Sequence, residues 1–405
     1  MLRKIAFSII MTVLILASLG GTALASPPSQ AAPVTEFQVA VNPTLSGFAS
    51  DQAFGNAPVS FNNYLYNFVP EDIFSSSMAL KVLRSADGKN WEYAGMPLKE
   101  DPRYNFVLGG TVFHGRLYIA LNRNNCISET PTIPGLVMRT ANGVDWEKVF
   151  QSPGVDGATT QTGQLGFFHG MLYVTTTVSH GDTGSAQIWR SRSGDQGTWE
   201  LATAVIGNNT HDTSTLTAFK GHAYLSTVDE DGTHIWRSAD GRNWNKVGES
   251  LLTDPAYTNW WVTNPIVFDG ALYVGTNPMV FSFNPGPQYT GGQLYRSRDG
   301  VHWQMVVAKG FGGTQNPSGI DGLIVYRDQL YALSNDLDFN FNWGTTYVWR
   351  SRTGNPGDWV KVNPDGMGPY SAVGFSWEGI FKGELYIGNG FGFGEYTSLM
   401  KMVNP

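Results

Sequence analysis

The residues of this chain best equipped for chemistry are carboxylates and flat aromatic rings, and they gather in its second half. Glu378 follows Trp377, and Asp321 and Asp336 are the acids that a strand-rich chain could bring towards it. A carboxyl pair about 5–9 Å apart in a deep pocket suits glycoside hydrolysis, one group giving a proton while the other attacks or activates water. Carboxylates splayed round a rim would not do this. Around the acids stand Tyr257, Trp260, Trp261 and Trp343, with Arg123 as a guanidinium for the same side. Aromatic faces can stack on the C–H faces of pyranose rings while acids and amides bond the hydroxyls. The same aromatics could instead plug a channel, pack loop on loop, or anchor a protein partner.

Other chemistries find less support. Asp336, Asp338 and Asn340 alternate with apolar residues over 335–340, as calcium ligands can, but the glycine and distal bidentate glutamate of a strong loop are missing. The run 229–232 is a weaker version, and solvated acidic loops are the plainer reading of both. No other cofactor is expected. His114, His169, His222 and His302 fall in turns, and His180 and His211 have no Ser or Cys nucleophile at a telling distance. His211, beside Asp212 at the start of a strand, reads as structural.

The elements that position these residues are repeats. A phrase ending in tryptophan occurs six times, as LRSADGKNW at 83–91, MRTANGVDW at 138–146, WRSRSGDQGTW at 189–199, WRSADGRNW at 236–244, YRSRDGVHW at 295–303 and WRSRTGNPGDW at 349–359. Its arginines, Arg84, Arg139, Arg190, Arg237, Arg296 and Arg350, recur about every fifty residues, a period typical of propellers and solenoids. A second phrase of aromatic, turn and Leu-Tyr precedes each copy, and a worn form, SFNNYLY, lies at 60–66. The markers Phe61, Phe113, Phe168, Phe219, Phe268, Tyr326 and Phe381 thus count seven units. In each, strand A ends at the marker, B holds Leu-Tyr, C holds Arg-Ser and D follows the Trp.

This predicts an all-β fold, a seven-bladed β-propeller of four-stranded antiparallel blades. The last unit stops after strand C. Phe37, Val39 and Val41 alternate with Gln38 and Ala40, so an N-terminal strand is expected to supply the fourth strand and close the ring. Six blades plus a stray strand is the alternative.

Residues 1–25 read as a secretory signal, with Arg3 and Lys4 ahead of an apolar run and Ala23-Leu24-Ala25 at the cleavage site. Residues 26–33 form a flexible lead and 34–405 the single propeller domain. The expected location is secreted, extracellular or periplasmic, without membrane attachment once the signal is removed. The formal net charge is −7, and the signal carries two of the positive charges, which argues against nucleic acid as a partner. A single cysteine, Cys126, excludes an intramolecular disulfide framework.

The turn phrase resembles the Asp-box, or bacterial neuraminidase repeat, of sialidase-like propellers. Its copies here, such as SADGKNW at 85–91 and SADGRNW at 238–244, are one residue shorter than that family's motif. The resemblance spans nearly the whole chain after the signal and implies the propeller fold, with the boxes on the face opposite the catalytic one. It also implies three carboxylate-clamping arginines, a Tyr–Glu nucleophile pair and an Asp acid/base. Only Arg103 and Arg123 remain for that face once the repeat, hairpin and turn arginines are set aside, so sialidase activity is not expected.

Removing the repeat tryptophans leaves Trp260, Trp261, Trp343 and Trp377, all on the face opposite the boxes. The first reading is a non-catalytic module binding a carbohydrate or other small ligand there. The alternatives are a polysaccharide-active glycoside hydrolase or lyase using Glu378 with Asp321 or Asp336, and a protein–protein interaction scaffold.

Overall fold

A computed structural model of the 405-residue chain describes residues 36–41, 56–69, 80–101, 104, 106–122, 134–153, 159–180, 183–210, 212–229, 232–248, 261–277, 292–312, 319–337, 343–364, 366–367, 376–389 and 398–403. The signal at 1–25 and the lead at 26–33 lie outside them. Among the described residues, every element apart from one four-residue turn is a strand. Strand β1 (Glu36–Val41) comes first and is used last.

Blade 1 is β2 (Asn56–Phe61), β3 (Tyr64–Val69), β4 (Lys81–Ser85) and β5 (Trp91–Gly95). Blade 2 is β6 (Phe106–Phe113), β7 (Arg116–Asn122), β8 (Leu136–Thr140) and β9 (Glu147–Gln151). Blade 3 is β10 (Thr159–Phe168), β11 (Met171–His180), β12 (Thr183–Ser191) and β13 (Glu200–Ile206). In blade 4 the inner strand is in two pieces, β14 (Asp212–Thr213) and β15 (Thr217–Phe219), both paired to β16 (His222–Asp229), with β17 (Gly232–Ser238) and β18 (Asn245–Val247) outside. Blade 5 repeats this with β19 (Trp261–Val262) and β20 (Ile266–Phe268) on β21 (Ala271–Asn277), then β22 (Leu294–Ser297) and β23 (Gln304–Val307). Blade 6 is β24 (Gly319–Tyr326), β25 (Gln329–Leu337), β26 (Trp343–Ser351) and β27 (Trp359–Lys361). Blade 7 is β28 (Ser376–Phe381), β29 (Glu384–Asn389), β30 (Ser398–Val403) and, as its outer strand, β1.

The inner strands follow one another round a ring. Strand β2 touches both β28 and β6, β10 touches β6 and β15, and β24 touches β20 and β28. The fold is a seven-bladed propeller, and the six-blade alternative falls away. Strand β1 runs antiparallel to β30, with Phe37 opposite Met402 and Val39 opposite Met400, and a bulge follows Val39. The bulge departs from the alternation expected of this strand, since Ala40 and Val41 are both buried.

The core lies between blades. Phe61, Tyr66, Phe68 and Leu80 of blade 1 pack on Leu117, Ile119, Leu121 and Met138 of blade 2, and comparable clusters recur round the ring. The turn phrase is a self-contained hairpin. In blade 1 the Ser85 hydroxyl accepts from Gly88 N (2.8 Å), while Asp87 Oδ1 accepts from Lys89 N (2.8 Å) and Asn90 N (2.7 Å). Those backbone donors, with the Asn90 side chain, hold the Asp87 carboxyl well below the usual carboxylate range. The Trp then packs backwards on the preceding blade. Trp146 lies edge-on to Phe68, and Trp199 sits 5.1 Å from Phe150.

The seam between blades 7 and 1 is tied by polar links. Trp91 Nε1 donates to Ala40 O (3.1 Å), Lys382 Nζ donates to Ala86 O (2.7 Å), and the Ser60 hydroxyl donates to Ile380 O. Residues Ala32–Pro405 form one compact unit. No helix among the described residues is long and apolar enough to cross a membrane.

Candidate functional site

The strands that line the centre of the ring are irregular at a common height. Pairing shifts between Val107 and Gly109 in β6, between Thr162 and Leu165 in β10, and between Ile320 and Gly322 in β24. In blades 4 and 5 the break is complete, and a hydroxyl replaces the lost ladder acceptor. Ser214 Oγ accepts from Ser226 N (2.8 Å), and Thr263 Oγ1 accepts from Gly275 N (2.8 Å). Blade 6 places Asp321 at the same offset from its closing aromatic, as the extra residue of the bulge. Bulges re-aim side chains and are common beside functional sites. Asp321 is 7% exposed.

Glu378 reaches the same spot from the neighbouring blade. Strand β28 is regular, and Glu378 pairs there with Ile387. Its carboxyl crosses to blade 6, accepts from Leu323 N, and fills the notch left by the missing side chain of Gly322. A Cβ on Gly322 would run into that carboxyl and into Leu333. Elsewhere in the ring, neutral groups make these crossings. Asn264 Oδ1 accepts from Thr215 N (2.8 Å), and the Thr215 hydroxyl donates to Gln164 Oε1 (3.2 Å). At the junction of blades 6 and 7 the crossing is thus made by an ionisable group, whereas an amide makes one between blades 4 and 5.

Burial pushes the Glu378 carboxyl up to about 8, and the nearby charge of Asp321 pushes the same way, against the N–H groups of Leu323 and Glu378 itself. Glu378 nevertheless keeps part of its surface open. It is thus a proton-holding acid beside a second carboxyl, within reach of solvent. Neighbouring acids with separated proton affinities are what acid–base catalysis uses.

The aromatics expected near these acids fall on blades 5 to 7. Trp261 opens β19 and pairs with Asn277, Trp343 opens β26 opposite Leu337, and Trp377 in β28 pairs with Gly388, one residue before Glu378. Asp336 lies near the end of β25. These are the blade ends away from the turn phrases, although the side chains of these four residues lie outside the description. Tyr257, Trp260, Arg123, Asp338 and Asn340 lie outside the described residues altogether, as do Arg103, His211 and Cys126. Among the described residues no three His, Cys, Asp or Glu side chains are grouped to hold a metal ion. Asp229, from the weaker acidic run, is spent on structure: it accepts from Thr210 Oγ1 (2.7 Å) and Asn208 N (3.0 Å), with His234 at 3.8 Å.

Sequence reasoning passed over one acid. Asp212 opens β14, and its Oδ1 accepts from Thr213 N (2.8 Å). Burial pushes its carboxyl up to about 7, against that single N–H. Its position on an innermost strand was the available signal, because charge is scarce there.

The ring and its inner acids define a seven-bladed β-propeller whose central strands carry ionisable groups. A family model described as the DUF6242 β-propeller domain matches residues 140–254, which run from the blade 2 hairpin past blade 4. No curated protein matches the chain. Among solved structures, the polysaccharide lyase Uly1 is similar at 11% identity and a TM-score of 0.52, over 86% of this chain and 90% of the lyase. A Trypanosoma rangeli sialidase in complex with 2,3-difluorosialic acid is similar at 14% identity and a TM-score of 0.48, over 71% of this chain. The match covers 53% of the sialidase, so this chain spans about half the length of that relative. A Bombyx mori GH32 β-fructofuranosidase gives 12% identity and a TM-score of 0.41, over 91% and 92% of the two chains. At these identities the likeness establishes the fold alone.

Proposed function

We propose that this propeller is a secreted, glycan-directed protein that hydrolyses its ligand at the centre of the ring, on the side away from the hairpins. One observation carries the reading: Glu378, a solvent-reachable acid that burial keeps protonated, stands beside Asp321 across the junction of blades 6 and 7. In this reaction Glu378 gives its proton to the glycosidic oxygen as the C–O bond breaks. Water adds to the anomeric carbon, and its proton passes to Asp321. Trp261, Trp343, Trp377, Trp260 and Tyr257 supply stacking faces, and Arg123 bonds hydroxyls. Calcium on Asp336, Asp338 and Asn340 is an optional support for the loop beside them.

A second reading, a non-catalytic glycan-binding module, draws on Asn264, whose amide makes the inter-blade bond without any proton to give. Glu378→Gln separates the two, since the amide oxygen still accepts from Leu323 N. The test incubates wild type and Glu378→Gln with a panel of plant, algal and animal polysaccharides and measures reducing ends and bound glycan. Release by wild type, with binding but no release by Glu378→Gln, supports hydrolysis. Binding by both without release supports the module. Binding by neither sinks the carbohydrate reading and leaves a protein partner.

A further inference from the structure

Between neighbouring blades, the outer strand of one faces the Arg-Ser strand and turn Trp of the next. The seams before blades 3 and 6 carry the same pair of tryptophans and differ in what covers them. Before blade 6, Trp349 precedes the repeated Arg350 and Trp359 closes the hairpin. Phe311 lies flat on Trp349, at 4.5 Å and 8°, and edge-on to Trp359 at 5.2 Å. Before blade 3, Trp189 and Trp199 hold the matching places. Their aromatic neighbour there is Phe150, tilted at 53° to Trp189 and 48° to Trp199. A cavity of about 290 Å³ remains against these three rings.

The registers explain the difference. Phe150 pairs with Val137 and Val307 with Leu294, each opposite the residue two before the repeated Arg, so the two outer strands correspond position by position. Four residues after Val307 comes Phe311, whereas four after Phe150 comes Gly154, and the stretch 152–158 (SPGVDGA) contains no aromatic residue. Phe311 adopts a φ of +68°, directly after Gly310 at +53°. A side chain is disfavoured in that backbone region, so the fold accepts local strain to lay this ring on Trp349. The surface beside the open cavity is also apolar. Leu201, the ladder partner of Trp189, is exposed. In blades 4 and 6 that place belongs to Lys246 and Lys361, whose ammonium groups stand over Trp236 and Trp349.

The geometry points to a docking site on the rim between blades 2 and 3, for a protein partner that presents an aromatic side chain from a turn. Its ring lies on Trp189 as Phe311 lies on Trp349. Space suffices, since an apolar cavity of roughly 150 Å³ already holds benzene. Lys148 donates to Gln151 Oε1 (3.0 Å), and the Gln151 amide and Gln196 can meet the partner's backbone at the cavity mouth. A pyranose fits this lining less well, because its ring of hydroxyls would face Val149, Phe150 and Trp199 unpaired. The site is separate from Glu378 and Asp321, which belong to the inner strands of blades 7 and 6.

The test is 19F NMR of the 26–405 chain labelled with 5-fluorotryptophan and titrated with an acetylated, amidated KGFGG peptide, the sequence of residues 309–313. Trp189→Phe and Trp199→Phe assign the two resonances. Both should move saturably, with a dissociation constant of about 1 mM, and KGAGG should bind at least about tenfold more weakly. Trp189→Ala should abolish the response at Trp199 while the other tryptophan resonances keep their places. Phe311→Ala should open the matching seam, so that Trp349 answers the same peptide. Should Trp189→Ala fail to fold, the two peptides and Phe311→Ala still decide. Equal responses to KGFGG and KGAGG, no response at Trp189, or silence at Trp349 in Phe311→Ala overturns the assignment. Movement of the Trp189 and Trp199 resonances by a cellulose hexamer and not by the peptide makes the cavity a sugar site and overturns it as well.

Discussion

The hydroxyl end of Tyr386, in the last blade, occupies the space into which a Cβ on Gly88, in the first blade, would project. The same fit joins Tyr66 to Gly143, Tyr118 to Gly194, Tyr173 to Gly241, Tyr224 to Gly300 and Tyr273 to Gly354. Six of the seven second-strand tyrosines thus seat under the hairpin glycine of the following blade, and Tyr331 has none because blade 7 lacks the turn phrase, which explains why Leu-Tyr and the turn phrase recur together. Burial, reinforced by Glu384 and Asp87, pushes the Tyr386 phenol up to about 12, so it stays uncharged in this seat.

Gly88→Ala should therefore be costly for two reasons. Its φ of +74° disfavours any side chain, and the new methyl would displace the Tyr386 ring. A loss of about 2–4 kcal/mol is expected, from the left-handed backbone plus overpacking. Gly383→Ala is the control. It has a φ of +76° with open space around the Cβ, so it should lose only about 1–2 kcal/mol. Urea denaturation of the two variants checks the difference.

Removing residues 1–41 should unfasten the ring. The truncation exposes the edge of β30 and takes away the Ala40 carbonyl that accepts from Trp91 Nε1. An open edge of that kind is a template for aggregation. The expected outcome is a much lower melting temperature with aggregation by light scattering. A soluble truncated chain that melts like the whole one would refute the closure argument.

The raised acids fix the direction of the pH dependence of stability. Glu378 titrates at about 8 and Asp212 at about 7 in the folded chain, against about 4.3 and 3.9 when unfolded. Between those limits the folded state holds protons that the unfolded chain has released, so stability falls as pH rises from about 4 to about 8. Asp87, Asp240 and Asp299, held low by hairpin N–H donors, act in the opposite direction and only below about pH 4. Melting curves from pH 4 to 9 should show the decline, and Glu378→Gln should flatten its upper part. A wild-type melting temperature that climbs from pH 5 to 8 would contradict both assignments.

Gly322→Ala should damage the site more than the fold. The backbone there admits alanine, but its methyl would push the Glu378 carboxyl out of its notch and off Leu323 N. A destabilisation of about 1–3 kcal/mol is expected from the overpacking. Any hydrolytic activity should fall as far as in Glu378→Gln. Retention of full activity in Gly322→Ala would mean that the position of the Glu378 carboxyl does not matter.

Much of this molecule was written in the order of its residues. The recurring Arg-Ser and Leu-Tyr phrases count the blades, the marker aromatics end the inner strands, and residues 36–41 supply the missing outer strand, because strand alternation and turn chemistry act over a few neighbours. Glu378 could be nominated with Asp321 or Asp336 as its partner, but nothing in their spacing chose between the two. The meeting of Glu378 with Asp321 depends on blades 6 and 7 standing side by side, on the bulge that turns Asp321 out of register, and on the notch at Gly322. Asp212 was legible only as the companion of His211. Its raised proton affinity comes from burial on an inner strand. Local sequence dictates each sheet and its hairpins, whereas burial, and with it the proton affinity of an acid, is set by what the closed ring brings against it.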